Sequence, residues 1–422
     1  MAPLPPLPDW VILEHQVAQL LQQQEEHGWA FNEALAWELA SSLQKELEET
    51  SKILRDRHPF VKSEEKTPKR TNSTLGYVEG CKFTRIKELN PTSRDHIAWI
   101  LTQFYKWKPT QMTATGKPMV DETILTEIGT EISMMFSKCL TLTKSLGMLT
   151  AGVNAWLKLE KKGRIHHHCS VATITHRCAH RKPNLAQVPS DERFRQLFIP
   201  SKGLTMVGAD LSGIELRMLA HYLARYDEGR YAKLLLEDDI HQVNADAIGI
   251  TRKQVKTVTY AFLYGAGDQK IGLSFDEHLT LQRAKSKGKE IRDAYVKAIP
   301  GLGKLLDAVK EAAQRGWVKS IDGRKITVNS PHKALNMLLQ SSAGVIAKRW
   351  MVLVDETNRL CGINSHQLAF VHDELQFECH PDHVNDLRTS LVHGATAAGE
   401  YYNLRIRIDA EATQGSNWAE TH

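Results

Sequence analysis

The chain has 422 residues, of which 42% are hydrophobic and 24% are charged, as in an ordinary globular protein with about two or three subdomains. Its net charge of +5 is compatible with a polyanionic partner but is too small to prove one. No run approaches the roughly 18 apolar residues of a membrane span, and the N-terminus lacks the basic and apolar segments of a secretion signal, which excludes membrane and secreted proteins. Six scattered cysteines without a CxxC pair favour the reducing cytoplasm.

The N-terminal part of the chain is predicted to be mainly helical. Residues 10–57 are rich in Leu, Ala, Gln and Glu and predict two helices that are broken near Gly28. Residues 58–90 combine basic side chains with a Thr-Asn-Ser-Thr run, which predicts an exposed, mobile basic insertion. The helical pattern resumes across 93–159, with an interruption at about 106–117.

Beyond residue 165, predicted strands occur among long helices. Apolar runs and periodicity predict, in chain order, a strand at 204–210 and helices at 213–225, across most of 230–330 and at 335–356. Residues 368–379 predict a hairpin with His372, Asp373 and Glu374 near its turn. The predicted fold class is therefore α+β.

The segment from Arg252 to Tyr264 has the most informative pattern. Arg252, Lys256, Tyr260 and Tyr264 recur every four residues. In a helix of 3.6 residues per turn each step drifts by only about 40°, so two cations and two rings share one face. Such a face offers charge for phosphates and flat surfaces for a base and a sugar, which indicates a nucleoside triphosphate. An ordinary amphipathic helix with solvated cations and core tyrosines has the same spacing.

The ends of this helix are also marked in the sequence. Thr251 and Gln254 have the spacing of a capping box, which begins a helix. Gly265 and Gly267 supply a stop. These signals predict a helix independently of the four-residue repeat.

Asp210 and Asp373 each lie beside an apolar strand. Buried strands rarely carry acids unless the charge is paired, and a divalent metal is a common partner. Two carboxylates that converge from separate strands can hold two Mg²⁺ ions roughly 3.5–4 Å apart, one activating an attacking hydroxyl and the other neutralising a leaving phosphate. Taken alone, either residue is equally compatible with a cap or a turn.

With these motifs, the chain resembles DNA polymerase family A, and most closely the replicative DNA polymerases of small tailed bacteriophages. The resemblance runs from about residue 10 to the end and is weakest between 58 and 89. The matching segments are Asn90-Pro-Thr-Ser-Arg-Asp-His-Ile97, Thr175-His-Arg177, Pro183-Asn-Leu-Ala-Gln187, Asp210-Leu-Ser-Gly-Ile-Glu-Leu-Arg217, Asp239-Ile-His241, Arg252 to Gly272, Asn336-Met-Leu-Leu-Gln340, Val371-His-Asp-Glu374 and Gly415 to His422.

The resemblance implies an α+β right-hand polymerase fold, in which a palm with an antiparallel sheet is joined to helical fingers and a helical thumb. It implies a DNA-directed DNA polymerase that transfers dNMP to a primer 3′-hydroxyl in phage DNA replication, with primer–template DNA and dNTPs as partners. The expected divisions are a lead-in at 1–29, a thumb at 30–165 with a basic insertion at 58–89, a palm at 166–235 and 331–422, and fingers at 236–330.

The resemblance also assigns the catalytic site. The metal site, expected to take two Mg²⁺ ions with Mn²⁺ as a substitute, is assigned to Asp210, Leu211 and Asp373. Glu374 is expected to support these ligands without binding metal directly. Lys256 is expected to act in catalysis as well as in binding.

The nucleotide site is assigned to the helix and its neighbours. The residues expected to hold the triphosphate are His241, Arg252 and Lys256. Tyr264 is expected to pack beside the nascent base pair. Glu215, fixed by Tyr264, would leave no room for a 2′-hydroxyl. Tyr260 would lie near the 3′ side of the sugar, where a tyrosine in relatives permits ready use of dideoxynucleotides.

The DNA contacts are assigned to residues on either side of the nucleotide site. Minor-groove acceptors, which correct base pairs share, are expected to be read by Arg177, Asn336 and Gln340. His372 is expected to contact the terminal phosphate of the primer.

Two features of residues 166–182 depart from the family pattern. The family usually has Gly before the arginine of this motif, whereas this chain has His176. The sequence His166-His-His-Cys169, with His176, Cys178 and His180, suggests zinc, but its spacing matches no common finger. We expect these imidazoles, with Arg181 and Lys182, to face the phosphate backbone instead.

Relatives carry a 3′–5′ exonuclease domain before the polymerase domain, and the polymerase-like region begins here almost at Met1. The expectation is a chain without proofreading, with a separate exonuclease chain, no exonuclease, or a truncated protein as alternatives. A processivity factor is a further possible partner at 58–89, although direct DNA contact or a generic loop is favoured there.

Two other functions share part of this pattern. A single-subunit RNA polymerase has the same pair of acids and a similar helix, but Glu215 favours deoxynucleotides. A DNA-binding subunit with a decayed site is disfavoured because Asp210, Asp373, Arg252 and Lys256 are all present.

Overall fold

The computed structural model describes residues 6–171, 173–276 and 279–422, without the side chains at 63 and 64. The first five residues of the predicted lead-in lie outside the described residues. Two compact units divide the chain: one is Glu33–Lys158, and the other combines Met1–Asn32 with Leu159–His422.

The described helices and strands confirm the predicted α+β class. The helices are α1 (Asp9–His27), α2 (Glu33–Arg57), α3 (Arg94–Phe104), α4 (Glu122–Ile128), α5 (Glu131–Leu146), α6 (Trp156–Leu159), α7 (Glu192–Arg195), α8 (Ile214–Asp227), α9 (Arg230–Glu237), α10 (Ile240–Ile248), α11 (Arg252–Leu263), α12 (Asp268–Phe275), α13 (Leu281–Ala298), α14 (Leu302–Ala313), α15 (Ala334–Leu360) and α16 (Val384–Tyr401). The strands are β1 (Trp29–Ala30), β2 (Phe60–Lys66), β3 (Phe83–Glu88), β4 (Arg164–Ile165), β5 (His168–Ser170), β6 (Ala179–Arg181), β7 (Thr205–Leu211), β8 (Trp317–Lys319), β9 (Lys325–Thr327), β10 (Ser365–Val371), β11 (Glu374–Cys379) and β12 (Ala410–Gly415).

The Glu33–Lys158 unit is built mainly from helices around its own apolar core. Its helix starts are set locally, because side chains of Ser93, Asp121 and Thr130 accept hydrogen bonds from the first turns of α3, α4 and α5. The core includes Leu54, Ile97, Ile100, Leu101, Leu125, Phe136 and Cys139.

Residues 58–90 are more regular than the predicted mobile insertion. β2 and β3 pair antiparallel, with a register shift between Lys62 and Glu65. Val61 and Leu89 belong to the core of the unit, whereas most side chains farther along the ribbon are exposed. A two-stranded ribbon buries few residues, so its polar composition gave the appearance of a loop.

A four-stranded antiparallel sheet forms the centre of the larger unit. Its strand order is β10-β11-β7-β12. α16 packs against β7 and β12, α1 packs against β10, and α15 packs against both helices. Leu375, Phe377 and Cys379 alternate along β11 and belong to the main apolar core.

The other three side chains of β11 are polar yet buried. Glu374, Gln376 and Glu378 are 6%, 0% and 0% exposed. Gln376 donates to the Thr421 carbonyl at 3.1 Å and accepts from its hydroxyl at 2.7 Å, so the C-terminal residues cover this face. Gly208 lies opposite on β7, where a Cβ would come within 2.3 Å of both Gln376 and the Thr421 carbonyl. Only glycine permits this close approach.

A buried ion pair joins α1 to α15. The side chain of Lys348 is fully buried, and its Nζ lies 2.9 and 2.7 Å from the two carboxylate oxygens of Glu14. Arg324 donates to the same carboxylate at 2.5 Å and also pairs with Asp322. Because an unpaired buried ammonium is strongly unfavourable, this contact fixes the N-terminal helix against the longest helix.

Removing one partner of this pair is expected to destabilise the protein. Glu14→Leu leaves Lys348 unpaired, and the free energy of unfolding should fall by about 3–5 kcal/mol. Adding Lys348→Met removes the second charge and should recover most of that loss. Urea unfolding of wild type, both single variants and the double variant measures the coupling, and strictly additive losses would contradict it.

Candidate active site

Asp210 and Asp373 meet because β7 and β11 are neighbours in the sheet. Asp210 is the register partner of Glu374, the first residue of β11. The backbone N–H of Leu211 donates to the Asp373 carbonyl at 3.0 Å, which joins β7 to the β10–β11 turn. Two acids from distant parts of the chain therefore line one cleft.

The β10–β11 turn consists of His372 and Asp373. His372 has a φ of 61°, the left-handed conformation that tight two-residue hairpins use. Burial, followed by the charge of Arg177, lowers the pKa of His372, so the ring is neutral at pH 7. Its Nδ1 is buried and makes no hydrogen bond within the described residues.

Both acids of the cleft are harder to ionise than ordinary aspartates. Burial first, and then the charge of Asp210, raises the pKa of Asp373 to about 7. Burial, and then Glu374, raises the pKa of Asp210 to about 6. Crowded carboxylate oxygens of this kind fit a hard divalent cation, which would relieve their repulsion. The side chain of Leu211 is apolar and buried, so only its backbone can serve as a ligand.

Glu374 is occupied by contacts within the protein. Its Oε1 accepts from Trp418 Nε1 at 2.6 Å and from Gln376 Nε2 at 2.7 Å. Its Oε2 lies 3.0 Å from His422 Nδ1. With both oxygens engaged, Glu374 has the surroundings of a supporting acid.

α11 confirms the predicted capping box. Thr251 accepts from the backbone of Gln254, and the Gln254 side chain accepts from the backbone of Thr251 at 3.0 Å. On the predicted face, Arg252 and Lys256 are exposed. Arg252 donates to Asp239 at 2.6 Å, and the same carboxylate caps the start of α10.

The tyrosines of α11 face the acidic cleft. The rings of Tyr260 and Tyr264 are stacked with centroids 6.5 Å apart, and His241 lies 6.2 Å from Tyr260. Burial raises the pKa of both phenols, to about 12 for Tyr264, and the charges of Glu215 and Asp373 add to the rise. The helix thus presents its aromatic face to the acids of the sheet.

Glu215, in the first turn of α8, is held from two sides. Arg177 Nη2 donates to its Oε1 at 2.6 Å, and the Tyr264 hydroxyl donates to the same oxygen at 3.3 Å. The Arg177 and Glu215 side chains are only 18% and 13% exposed. The contact with Tyr264 follows the sequence prediction, whereas the ion pair with Arg177 was not foreseen.

The two DNA-contact candidates of α15 lie in its first turns. Asn336 Nδ2 donates to the Leu263 carbonyl at 2.6 Å. This bond satisfies a carbonyl in the last turn of α11 that has no partner within the helix. Gln340 follows one turn later and is half-buried. Asn336 therefore links α15 to α11, and its reading of the minor groove stays a prediction.

His176 occupies the position where glycine was expected. Its φ of 59° lies in the left-handed region that glycine adopts without strain. Its Nδ1 lies 2.5 Å from the hydroxyl of Ser341 in α15, and burial lowers its pKa to about 4. The neutral ring and this hydroxyl share a hydrogen bond, which offsets part of the strain of the left-handed backbone.

The prediction that the neighbouring imidazoles face phosphates is wrong for His167. His167 is 0% exposed and Cys169 is 6% exposed. His166 Nδ1 lies 2.7 Å from the Glu25 carbonyl, and His168 Nδ1 lies 2.6 Å from the Glu25 carboxylate. Successive residues of extended chain alternate between faces, so His166 and His168 are half-buried beside Glu25 whereas His167 points into the interior.

The C-terminal residues form part of the cleft, and sequence reasoning gave them no role. Arg195, Trp418 and His422 line it together with the two aspartates. The charge of His422 lowers the pKa of Asp210, opposing the effect of burial. The only signal in the sequence was the family resemblance of the last residues.

A family model for DNA polymerase family A matches residues 63–420. The chain belongs to this family. This chain is 32% identical to the DNA-directed DNA polymerase of Enterobacteria phage T3 and 32% identical to that of Escherichia phage T7. Each match covers 98% of this chain and 70% of the relative. DNA polymerase I of Pseudomonas aeruginosa is 29% identical over 74% of this chain and 36% of that protein.

The fold of the polymerase also matches a solved structure. The POL domain of Pol1 from M. smegmatis, in complex with DNA primer-template and dNTP, aligns with a TM-score of 0.77 at 22% identity, over 97% of this chain and 70% of that chain. The predicted family, the α+β polymerase fold and the activity of a DNA-directed DNA polymerase are confirmed. Enzymes of this family use divalent metal ions. None of the described helices is long and apolar enough to cross a membrane.

Because the pKa of Asp373 is raised, the metal-free protein is expected to become less stable as the pH rises. Without divalent metal, ionising Asp373 costs no stability below about pH 4 and costs progressively more as the pH rises through about 7. Asp373→Asn should therefore unfold about 1–3 °C above wild type at pH 8, with little difference at or below about pH 4. Calorimetry in EDTA measures this, with the exposed Asp382→Asn as control. An equal gain at both pH values would contradict the shift.

Proposed function

We propose that this polymerase adds deoxynucleotides to a primer with Asp210 and Asp373 as ligands of two Mg²⁺ ions and α11 as the wall that holds the triphosphate. One observation carries the proposal. The Tyr264 hydroxyl, at the end of α11, donates to Glu215 at 3.3 Å, and Glu215 lies in the first turn of the helix that follows the strand of Asp210. The proposed metal ligands and the proposed nucleotide-binding face of α11 are therefore neighbours.

The choice of Mg²⁺ rests on the chemistry of the donors. Asp210 and Asp373 supply carboxylate oxygens, which hard cations prefer, and their raised pKa values fit a site designed to hold positive charge. When bound, the ions lower the pKa of the primer hydroxyl and neutralise charge on the leaving phosphate, and Mn²⁺ is the expected substitute. Glu374 keeps its position between Trp418 and His422 and supports the strand that begins beside Asp210.

The exposed cations of α11 are suited to the triphosphate. Arg252 offers a forked donor and Lys256 a mobile point charge one turn later. Before substrate binds, Arg252 pairs with Asp239 at 2.6 Å across the surface. His241, with a buried Nδ1 that makes no hydrogen bond within the described residues, adds a neutral ring beside Tyr260.

Glu215 is suited to exclude a ribose. Its carboxylate is held by Arg177 and Tyr264, so the side chain has little freedom to move away from a 2′-hydroxyl. A rigid group excludes a larger substrate more effectively than a mobile one, because evasion would break both contacts. Tyr260, the neighbouring ring of α11, is proposed to lie by the 3′ side of the same sugar.

Primer–template DNA and dNTPs are proposed as the substrates, by likeness to the M. smegmatis complex. We assign the thumb to the Glu33–Lys158 unit, close to the expected 30–165. The palm is assigned to 166–235 with 331–422, which includes the central sheet, and the fingers to 236–330, which includes α11. Arg177, Asn336, Gln340 and His372 are proposed to contact the duplex end.

Neutralising either metal ligand is expected to abolish extension. Asp210→Asn and Asp373→Asn each remove a ligand charge worth several kcal/mol in the transition state, so kcat should fall by at least about 1000-fold. Duplex binding should not weaken, because these acids repel the phosphates of DNA. Single-turnover primer extension and fluorescence anisotropy measure both quantities, with Asp382→Asn as the matched control. Extension at the wild-type rate in either variant would overturn the metal assignment.

Shortening the proposed gate is expected to admit ribonucleotides. Glu215→Ala opens space at the sugar, and the preference for dNTP over rNTP in kcat/KM should fall by about 10–100-fold. Glu215→Gln keeps the size of the side chain and should retain most of the preference. Primer extension with single dNTPs and rNTPs measures the ratio. If Glu215→Ala keeps the wild-type preference for dNTP over rNTP, another residue selects the sugar.

A further inference from the structure

The β5–β6 hairpin carries a compact group of soft metal ligands. His167 and Cys169 are two residues apart in extended chain and share one face, and Cys169 is the register partner of His180. Cys169 Sγ lies 3.6 Å from His167 Nδ1 and 3.1 Å from His180 Nδ1. Among the residues that the structure describes, no other group of three His, Cys, Asp or Glu brings its ligand atoms within 4.8 Å of one another.

These distances match a tetrahedral site. Zinc binds thiolate sulfur at about 2.3 Å and imidazole nitrogen at about 2.0–2.1 Å. Tetrahedral angles then place the sulfur about 3.6 Å from each nitrogen. The separation from His167 equals this value, and the separation from His180 is about 0.5 Å shorter, so His180 and the sulfur need only move slightly apart to seat one ion.

The surrounding hydrogen bonds orient the ligand atoms. His167 Nε2 lies 2.9 Å from the Leu368 carbonyl, which can only accept, so the ring carries its proton on Nε2 and a lone pair on Nδ1. Metal-binding histidines are commonly fixed by such a bond to a carbonyl. Gln24 Nε2 lies 3.7 Å from Cys169 Sγ, where its N–H can stabilise a thiolate. One S–H proton, by contrast, can serve only one of the two imidazole nitrogens at a time.

We propose that His167, Cys169 and His180 bind one transition-metal ion of the zinc class. The donor set is imidazole and thiolate, which favours zinc over the Mg²⁺ suited to the two aspartates. Binding releases the thiol proton of Cys169 to solvent, and the three ligands leave one tetrahedral position for water.

The position of this site gives the ion a structural role near the catalytic hairpin. Leu368 belongs to β10, the strand that leads to the His372–Asp373 turn. The rings of His180 and His372 meet edge to face, with centroids 5.8 Å apart. An ion here would hold the two strands of the β5–β6 hairpin together and fix the ring of His167, which donates to the strand that leads to Asp373.

Cobalt titration of the full chain tests the proposal. The protein is stripped of metal with a chelator and titrated with Co²⁺, whose bond to a thiolate produces a near-ultraviolet charge-transfer band that carboxylate ligands do not give. We expect the band to saturate at one Co²⁺ per chain and to disappear when Zn²⁺ is added. Cys169→Ser should abolish it, whereas Cys379→Ser, which removes another buried thiol, should preserve it.

A second pair of variants covers the case in which Cys169→Ser does not fold. His180→Asn keeps the thiol and should weaken Co²⁺ binding by at least about 100-fold, more than the loss of an outer-shell partner. His168→Asn, the adjacent strand residue that binds Glu25, is the matched control and should leave binding unchanged. The absence of a thiolate band in wild type, or equal affinity in His180→Asn and wild type, would reduce the group to a hydrogen-bonded cluster and overturn the proposal.

Discussion

The pairing of β7 with β11 is the constraint on which the site depends. Its register sets Asp210 opposite Glu374, and the bond from Leu211 to the Asp373 carbonyl closes the turn against β7. Two carboxylates are thereby brought together at the ends of the two inner strands of the sheet. Burial first, and then the neighbouring carboxylates, raises their pKa values, so ionising them has an electrostatic cost that a divalent cation would relieve.

Other contacts of the sheet stabilise the pairing of β7 with β11 against the electrostatic cost of the two aspartates. Gln376 and Thr421 hold the C-terminal residues over the sheet, and Gly208 gives them room. Those residues in turn bring Trp418 and His422 to Glu374, which would otherwise be a third unpaired acid. The C-terminal residues thus line the cleft of the two aspartates although they carry no obvious catalytic pattern.

Sequence reasoning succeeded where local interactions decide the structure. The capping box of α11 and the strands on either side of Asp373 depend on nearby residues, so spacing was enough to predict them. The ion pair between Arg177 and Glu215 and the bond from Asn336 to Leu263 depend on tertiary packing, which spacing does not encode. The ribbon at 58–90 was missed because its strands bury few side chains. The inward-facing His167 was missed because it lies in the short extended segment before β5, where the alternation of faces was not applied.

Anomalous diffraction from crystals of the wild-type polymerase, grown with Mn²⁺, primer–template DNA and a non-hydrolysable dNTP, tests the central claim most directly. The account predicts two Mn²⁺ peaks roughly 3.5–4 Å apart, both coordinated by Asp210 and Asp373, with the triphosphate against Arg252 and Lys256. Metal peaks that avoid either aspartate, or a triphosphate bound away from α11, would contradict it.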